Sequence, residues 1–327
     1  MTTLAGSALT LADWKQSLTP DNKAIDAIIE MMLVQSGLLT DMPIKEGNLT
    51  TGHRSTIRTG LPTVTWRKFN QSVQPSKGSK VQVDDTCGMA EAFMEVDSEL
   101  AKLGGLTSAF LAEEAQAHII AFKNDVTSKI IYGDSSLTPE EPLGLAPRYP
   151  GLGDPNVITF GGTGSDLTSL WFATWGDQTG FGIVPKGSTV GLEHKDLGEQ
   201  LITSSDGHIM KYVQNFKWKI GLCVKDWRYF VRCCNIESAG LTGTGTNNLI
   251  DKLPLLIQAK NLIPDESMGR TVIYCNRDVK TQFDVAAYNK TTPSIYATET
   301  GGKHQTMFMG IPIVRCDAIL STESALT

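Results

Sequence analysis

No apolar run in this sequence approaches the roughly 18–20 residues that a membrane-spanning helix needs. Its start, MTTLAGSALTLADW, has no basic stretch followed by an apolar one, so a secretory signal is not expected either. Both absences point to a protein kept in the cytoplasm, away from membranes. Cysteine is sparse and unpatterned. Cys87, Cys223, Cys233, Cys234, Cys275 and Cys316 form no CxxC pair and have no histidine at finger spacing, so buried or half-buried free thiols are expected. Cys233 and Cys234 are adjacent, and neighbours on a strand point to opposite faces, which makes them poor joint ligands for zinc. The histidines (His53, His118, His194, His208, His304) are scattered, with no HExxH and no GxSxG elbow. His118 lies beside the apolar stripe of a long helix, where a packed or interfacial role is expected. Glycines 161, 162 and 164, and again 240, 243 and 245, cluster without the Lys-Ser/Thr of a P-loop and read as flexible connections. No catalytic residue, cofactor or metal is indicated, and an enzyme is not expected. Positive charge is in deficit too: 29 Lys and Arg against 35 Asp and Glu leave a net −6, which argues against the whole chain being a nucleic-acid binder.

What is present is an ordinary globular composition, 41% hydrophobic and 20% charged over 327 residues, enough for one large or two modest domains. Thr19 and Pro20 make a helix entry, followed by Ile25, Ile28, Ile29, Met32 and Leu33 at helical spacing. Thr63–Asn70 and Ser79–Asp85 read as the two strands of a long hairpin, with a polar loop carrying Pro75 and Gly78 between them. This hairpin has little apolar surface, and a lone two-stranded hairpin is marginal in water, so it must lie against something else. Ser108–Tyr132 reads as one helix of about 25 residues with the stripe Leu111, Ala115, Ile119, Phe122, Val126 and Ile130, and an Asp125–Lys129 pair. A loop-rich stretch, Ser135–Gly164, follows. Then come strands at Ile209–Ile220 and Leu222–Ile236, a helix near Asn248–Leu262 broken or restarted at Pro254, a strand at Thr271–Cys275, a helix at Arg277–Tyr288 and a strand at Ile311–Asp317. The order is α+β, with no βαβ repeat and no internal duplication.

Several strings, in this order, resemble the major capsid (coat) proteins of tailed phages, above all short-tailed phages including the Bordetella phage group. They are EGN (Glu46–Asn48), RTGLPTVTWR (Arg58–Arg67), IIYGD (Ile130–Asp134), GLAPRY (Gly144–Tyr149), PKGSTVGL (Pro185–Leu192), WRYFVRCCNI (Trp227–Ile236), YCNR (Tyr274–Arg277) and GIPIVRCD (Gly310–Asp317). The resemblance implies the HK97-like fold: an N-terminal arm (1–46), an extended hairpin loop (47–86), a peripheral domain beginning with a spine helix (87–134), and an axial domain with the rest of the peripheral one (135–327). It implies hexamers and pentamers assembling around a scaffold and a portal, decoration proteins as further partners, and an icosahedral shell enclosing double-stranded DNA without sequence-specific binding. The shell would be built in the bacterial cytoplasm and end in the virion. With little chain before the hairpin, no covalently attached scaffolding region is expected. Lys68, Lys77 and Lys80 have no identified isopeptide partner. An encapsulin-like shell or a virion attachment or tail protein is the alternative, and the long helix opposes the latter.

Charge is segregated. Gly47–Val83 holds Arg54, Arg58, Arg67, Lys68, Lys77 and Lys80 and no acid, while Asp84–Glu99 holds Asp84, Asp85, Glu91, Glu95, Asp97 and Glu99 and no base. This reads as an ordinary solvated surface, as a subunit contact in which the basic hairpin meets a neighbour's acidic surface, or as nucleic-acid binding, given Trp66 and Phe69 among the basic residues. The candidate interface residues are therefore Arg54, Arg58, Trp66, Arg67, Lys68, Phe69, Asp84, Asp85, Glu95, Asp97 and Glu99.

Overall fold

The computed structural model describes residues 36–105, 107–204, 207–237, 252–289, 294–300 and 303–327. The helix expected after Thr19 and the second glycine cluster lie outside them. The strands run, in chain order, β1 (Ile44–Glu46), β2 (Gly52–Gly60), β3 (Ser79–Asp97), β4 (Val157–Thr159), β5 (Leu167–Trp175), β6 (Gly180–Val184) and β7 (Leu192–Ser204). They continue with β8 (Gly207–Val224), β9 (Phe230–Glu237), β10 (Arg270–Cys275), β11 (Ile295–Thr300), β12 (Lys303–Phe308) and β13 (Ile311–Arg315). One sheet has the order β1-β6-β8-β3-β2, with β7 also on β8, and the other the order β11-β12-β13-β10-β5-β9-β4. The chain divides into two compact units. Described residues of the first are Met89–Val126 and Gly191–Lys219, and the second comprises Gln35–Gly88, Thr127–Val190 and Ile220–Thr327.

In the first unit, strand alternation sorts the second half of β3: Met94 and Val96 are buried, while Phe93 and Glu95 are exposed. Met94 and Val96 join Ala101, Phe110, Phe122 and Phe216 in one core, with Tyr212 and Trp218 packed against it. The long helix is Thr107–Tyr132, one residue longer than its periodicity indicates. Phe122, Val126 and Ile130 of its stripe are buried, but Ile119 is 46% exposed and Phe110, off the stripe, is fully buried. Periodicity gives the face; which neighbour covers it comes from elsewhere in the chain. Lys129 pairs with Glu141 at 2.5 Å rather than with Asp125. The β7–β8 hairpin is long and antiparallel, Leu192↔Trp218 to Ser204↔Gly207, with a register shift between Asp196 and Gly198.

In the second unit, all nine residues of β5 are buried. It lies between antiparallel β10 and β9, with a register shift against β9 between Thr168 and Leu170. A strand covered on both faces loses its alternation and becomes a continuous apolar run, here LTSLWFATW. Helix Leu253–Leu262 packs against β9, and helix Arg277–Asn289 against β11–β13. Pro254 sits in the first turn of the former, so it starts that helix instead of breaking it. The strand expected over Leu222–Ile236 is two strands. β8 ends at Val224, and Asp226 accepts from the Arg228 amide to cap a short 3-10 turn, Trp227–Tyr229. The chain then enters the other sheet as β9. Residues 316–327 are tied to that sheet: the Glu323 amide donates to the Leu167 carbonyl, and the Asn235 side chain exchanges two hydrogen bonds with Leu326. The Glu323 carboxylate accepts from Tyr132, Ser169 and Arg232.

Candidate intersubunit surface

The hairpin is built from β2 and β3, paired antiparallel from Gly52↔Thr86 to Gly60↔Ser79. Its first strand is therefore residues 52–60, and the expected strand at Thr63–Asn70 is irregular chain. The β-prone composition of TVTWRKFN does not make a strand there because no ladder partner lies beside it; strand propensity is realised only on a supported surface. Residues 61–80 are exposed throughout. Beyond the ladder, the two sides of the excursion meet where the Ser76 hydroxyl donates to the Thr63 carbonyl at 2.9 Å. The tip turns at Asn70, with φ +61°, closed by the Gln71 amide on the Lys68 carbonyl. Trp66 is 95% and Phe69 101% exposed, so both rings stand in water.

The structure sorts the charged candidates into three groups. Arg54 lies opposite Asp84 in the ladder and holds it through Nε and Nη2, both at 2.6 Å. These hydrogen bonds keep the Asp84 carboxyl below the usual carboxylate range. Asp85, expected at a subunit surface, is buried and accepts from Arg148 Nη2 at 2.7 Å, while Arg148 also donates to the Leu222 carbonyl. Along β3, Glu91 pairs with Lys217 and Glu95 with Lys211, at 3.2 and 2.8 Å. Asp97 caps helix Ser98–Lys102 by accepting from the Glu99 amide, and Glu99 stands 3.7 Å from Lys102. The acidic stretch is thus largely neutralised by partners that sequence proximity cannot reveal, Lys211 and Lys217 on β8 and Arg148 in a distant loop. Arg58, Arg67, Lys68, Lys77 and Lys80 have no ion-pair partner among the described residues. The sequence segregation survives as a surplus of positive charge on the hairpin beside two bare rings.

All six cysteines are free thiols, five of them buried and Cys87 half-buried. Burial pushes the Cys87 and Cys223 thiols up to about 12, where they stay protonated and inert. His118 stacks on Phe216 at 5.4 Å, and His194 on the same ring at 4.7 Å. Among the described residues, no group of three or more potential ligands could hold a metal ion.

A mixed α+β chain with one spine helix and a long, bare hairpin is the HK97-like fold of capsid shell subunits. Residues 20–327 match the model of the family described as major capsid protein GP7, and the chain belongs to that family. It is similar to a chain of the near-atomic structure of bacteriophage Epsilon15, with 31% identity over 100% of both chains and a TM-score of 0.77. The bacteriophage JBD30 capsid shares the fold at 11% identity, covering 88% of this chain and 92% of that one, with a TM-score of 0.51. No curated protein matches the chain. It is a phage capsid protein that self-assembles into a multimeric shell and resides in the virion.

Proposed function

We propose that this chain forms the head of a short-tailed phage of the Bordetella type. In this reading it assembles in the host cytoplasm as hexamers and pentamers around a scaffold and a portal, and it performs no catalysis. The ordered strings from Glu46 to Asp317 and the full-length likeness to a chain of bacteriophage Epsilon15 support it. The same reading divides the chain into arm 1–46, hairpin loop 47–86, spine segment 87–134, and axial and remaining peripheral domain 135–327. Negative-stain microscopy of the protein expressed with its neighbouring genes should show closed shells or capsomers. Strictly monomeric behaviour at high concentration with scaffold present would overturn the reading.

The hairpin tip is the docking element. The observation that carries this is the exposure of Trp66 and Phe69 beside Arg67 and Lys68, which, like Arg58 on β2 below them, have no ion-pair partner among the described residues. Burying a large apolar side chain contributes about 1.5–3 kcal/mol, whereas an exposed ion pair contributes about 0–1 kcal/mol. The rings therefore supply the affinity and the charges set the register. The counterpart is a neighbour's β3 face, where Met89 and Phe93 are each 55% exposed beside Glu95 and Asp97, with Glu99 on the helix that follows; Glu95 would exchange Lys211 for the incoming charge. Arg54 and Asp84 satisfy each other and stiffen the hairpin base.

A further inference from the structure

β2 is the last strand of its sheet, so one of its edges has no strand beside it among the described residues. Part of that edge is already paired, and by a side chain. The Asn48 amide reaches Arg54, accepting from its N–H at 2.7 Å through Oδ1 and donating to its carbonyl at 2.9 Å through Nδ2. A primary amide used this way is one peptide unit of a missing strand. It also fixes the geometry, because Arg54 turns its backbone groups outward, away from Asp84. Along an antiparallel ladder, inward and outward residues alternate. Thr56 and Arg58 therefore turn their N–H and C=O groups the same way, onto an open edge.

That edge forms one side of a groove of about 750 Å³, lined by residues 53–59, Gln178 and residues 225–228. Its charge is cationic. Arg54, Arg58, Lys225 and Arg228 face a single lining carboxylate, Asp226, which is held by Arg228. Arg54 is offset by Asp84, and Arg58 has no ion-pair partner among the described residues. Trp227, half-exposed, adds an apolar surface.

From these features we infer that the groove receives an extended, acidic segment of a second protein, added as a strand to β2 at Thr56 and Arg58. Main-chain hydrogen bonds would provide affinity and alternate side chains the specificity, as in other strand additions. The occupant is given an acidic character by the surplus of Arg58 and Lys225 along the groove, and it is assigned to another protein because, among the described residues, every acid-bearing strand of this chain is already in a ladder. The site shares Arg58 with the docking surface proposed for the hairpin but neither Trp66 nor Phe69, and the inference does not depend on where those rings dock.

The test uses intact particles. Thr56 is replaced by the photo-crosslinker p-benzoylphenylalanine, particles are purified and irradiated, and adducts are mapped by mass spectrometry. The expected adduct is a carboxylate-rich segment of a second protein. It should be lost in the Arg228→Glu background and weakened by Arg228→Gln, while particle sedimentation stays unchanged. Adducts to another copy of this chain, to nucleic acid, or none above those from a crosslinker at exposed Thr63 would each overturn the inference. So would an acidic-segment adduct that persists in Arg228→Glu.

Discussion

Arg232 on β9 and Glu323 form an ion pair at 3.1 Å whose side chains are only 6% and 8% exposed. The pair is embedded in further contacts: Arg232 also donates to the Tyr149 carbonyl and lies over the Trp171 ring, and Glu323 takes the Tyr132 and Ser169 hydroxyls. Removing one partner of a buried pair leaves an uncompensated charge, typically costing about 3–5 kcal/mol. Glu323→Ala should therefore unfold the second unit at temperatures where the native chain is intact, whereas Arg54→Ala, whose pair is exposed, should change the melting temperature little. Thermal melts followed by circular dichroism separate the two, and equal effects would mean the buried network is not cooperative.

The hairpin tip calls for the opposite behaviour, loss of assembly without loss of fold. Trp66→Ala with Phe69→Ala should abolish particles in sedimentation while the subunit's circular dichroism is unchanged. Arg58→Glu with Arg67→Glu should block particles or make them salt-fragile. Trypsin should cut the free subunit first at Arg67 or Lys68 and leave these bonds intact in particles. Normal assembly of both double variants at low and high salt would reduce the tip to a solvated loop.

Cys233 and Cys234 should be dispensable. Both are buried, so Cys→Ala is the apt replacement, at a cost of about 1 kcal/mol each. Particles should form and survive a chelator, and their dissolution by chelator would argue for a metal.

His118 gives a pH dependence with a defined sign. Burial holds its imidazole below the ordinary histidine value. Its neutral form is therefore favoured in the fold, and its contribution is complete above the unfolded value near ~6.5. That contribution is lost as pH falls through the lower folded value, because the unfolded chain binds the extra proton. Melts between neutral and mildly acidic pH should show falling stability, with a shallower slope in His118→Phe. An unchanged slope would assign the acid sensitivity elsewhere.

Helix Thr107–Tyr132, helix Arg277–Asn289 and strand β10 were legible within a residue at either end, because each carries its own period and punctuation. β5 was not, since nine buried residues in a row have no alternation to read. β7 was missed for the converse reason: LEHKDLGEQLITS is too polar to announce a strand and owes its conformation to β8. The hairpin was legible as a feature, but its first strand was placed too late, on residues that look like a strand and have nothing to pair with. Its bare positive charge and rings could be read directly. The neutralisation of Glu91, Glu95 and Asp85 could not, because the partners of Glu91 and Glu95 lie 116 or more residues away and that of Asp85 lies 63 away.

Two aromatic rings held in water on every subunit also bear on how a shell closes. In the docking proposed above, each tip is covered only by a neighbour, so any incomplete patch of subunits carries a rim along which tips or their counterparts stay wet. The unfavourable free energy scales with the length of that rim, as a line tension does, and a closed surface has no rim at all. Growth should therefore favour few, complete shells over many fragments, with a sharp threshold concentration below which subunits remain free.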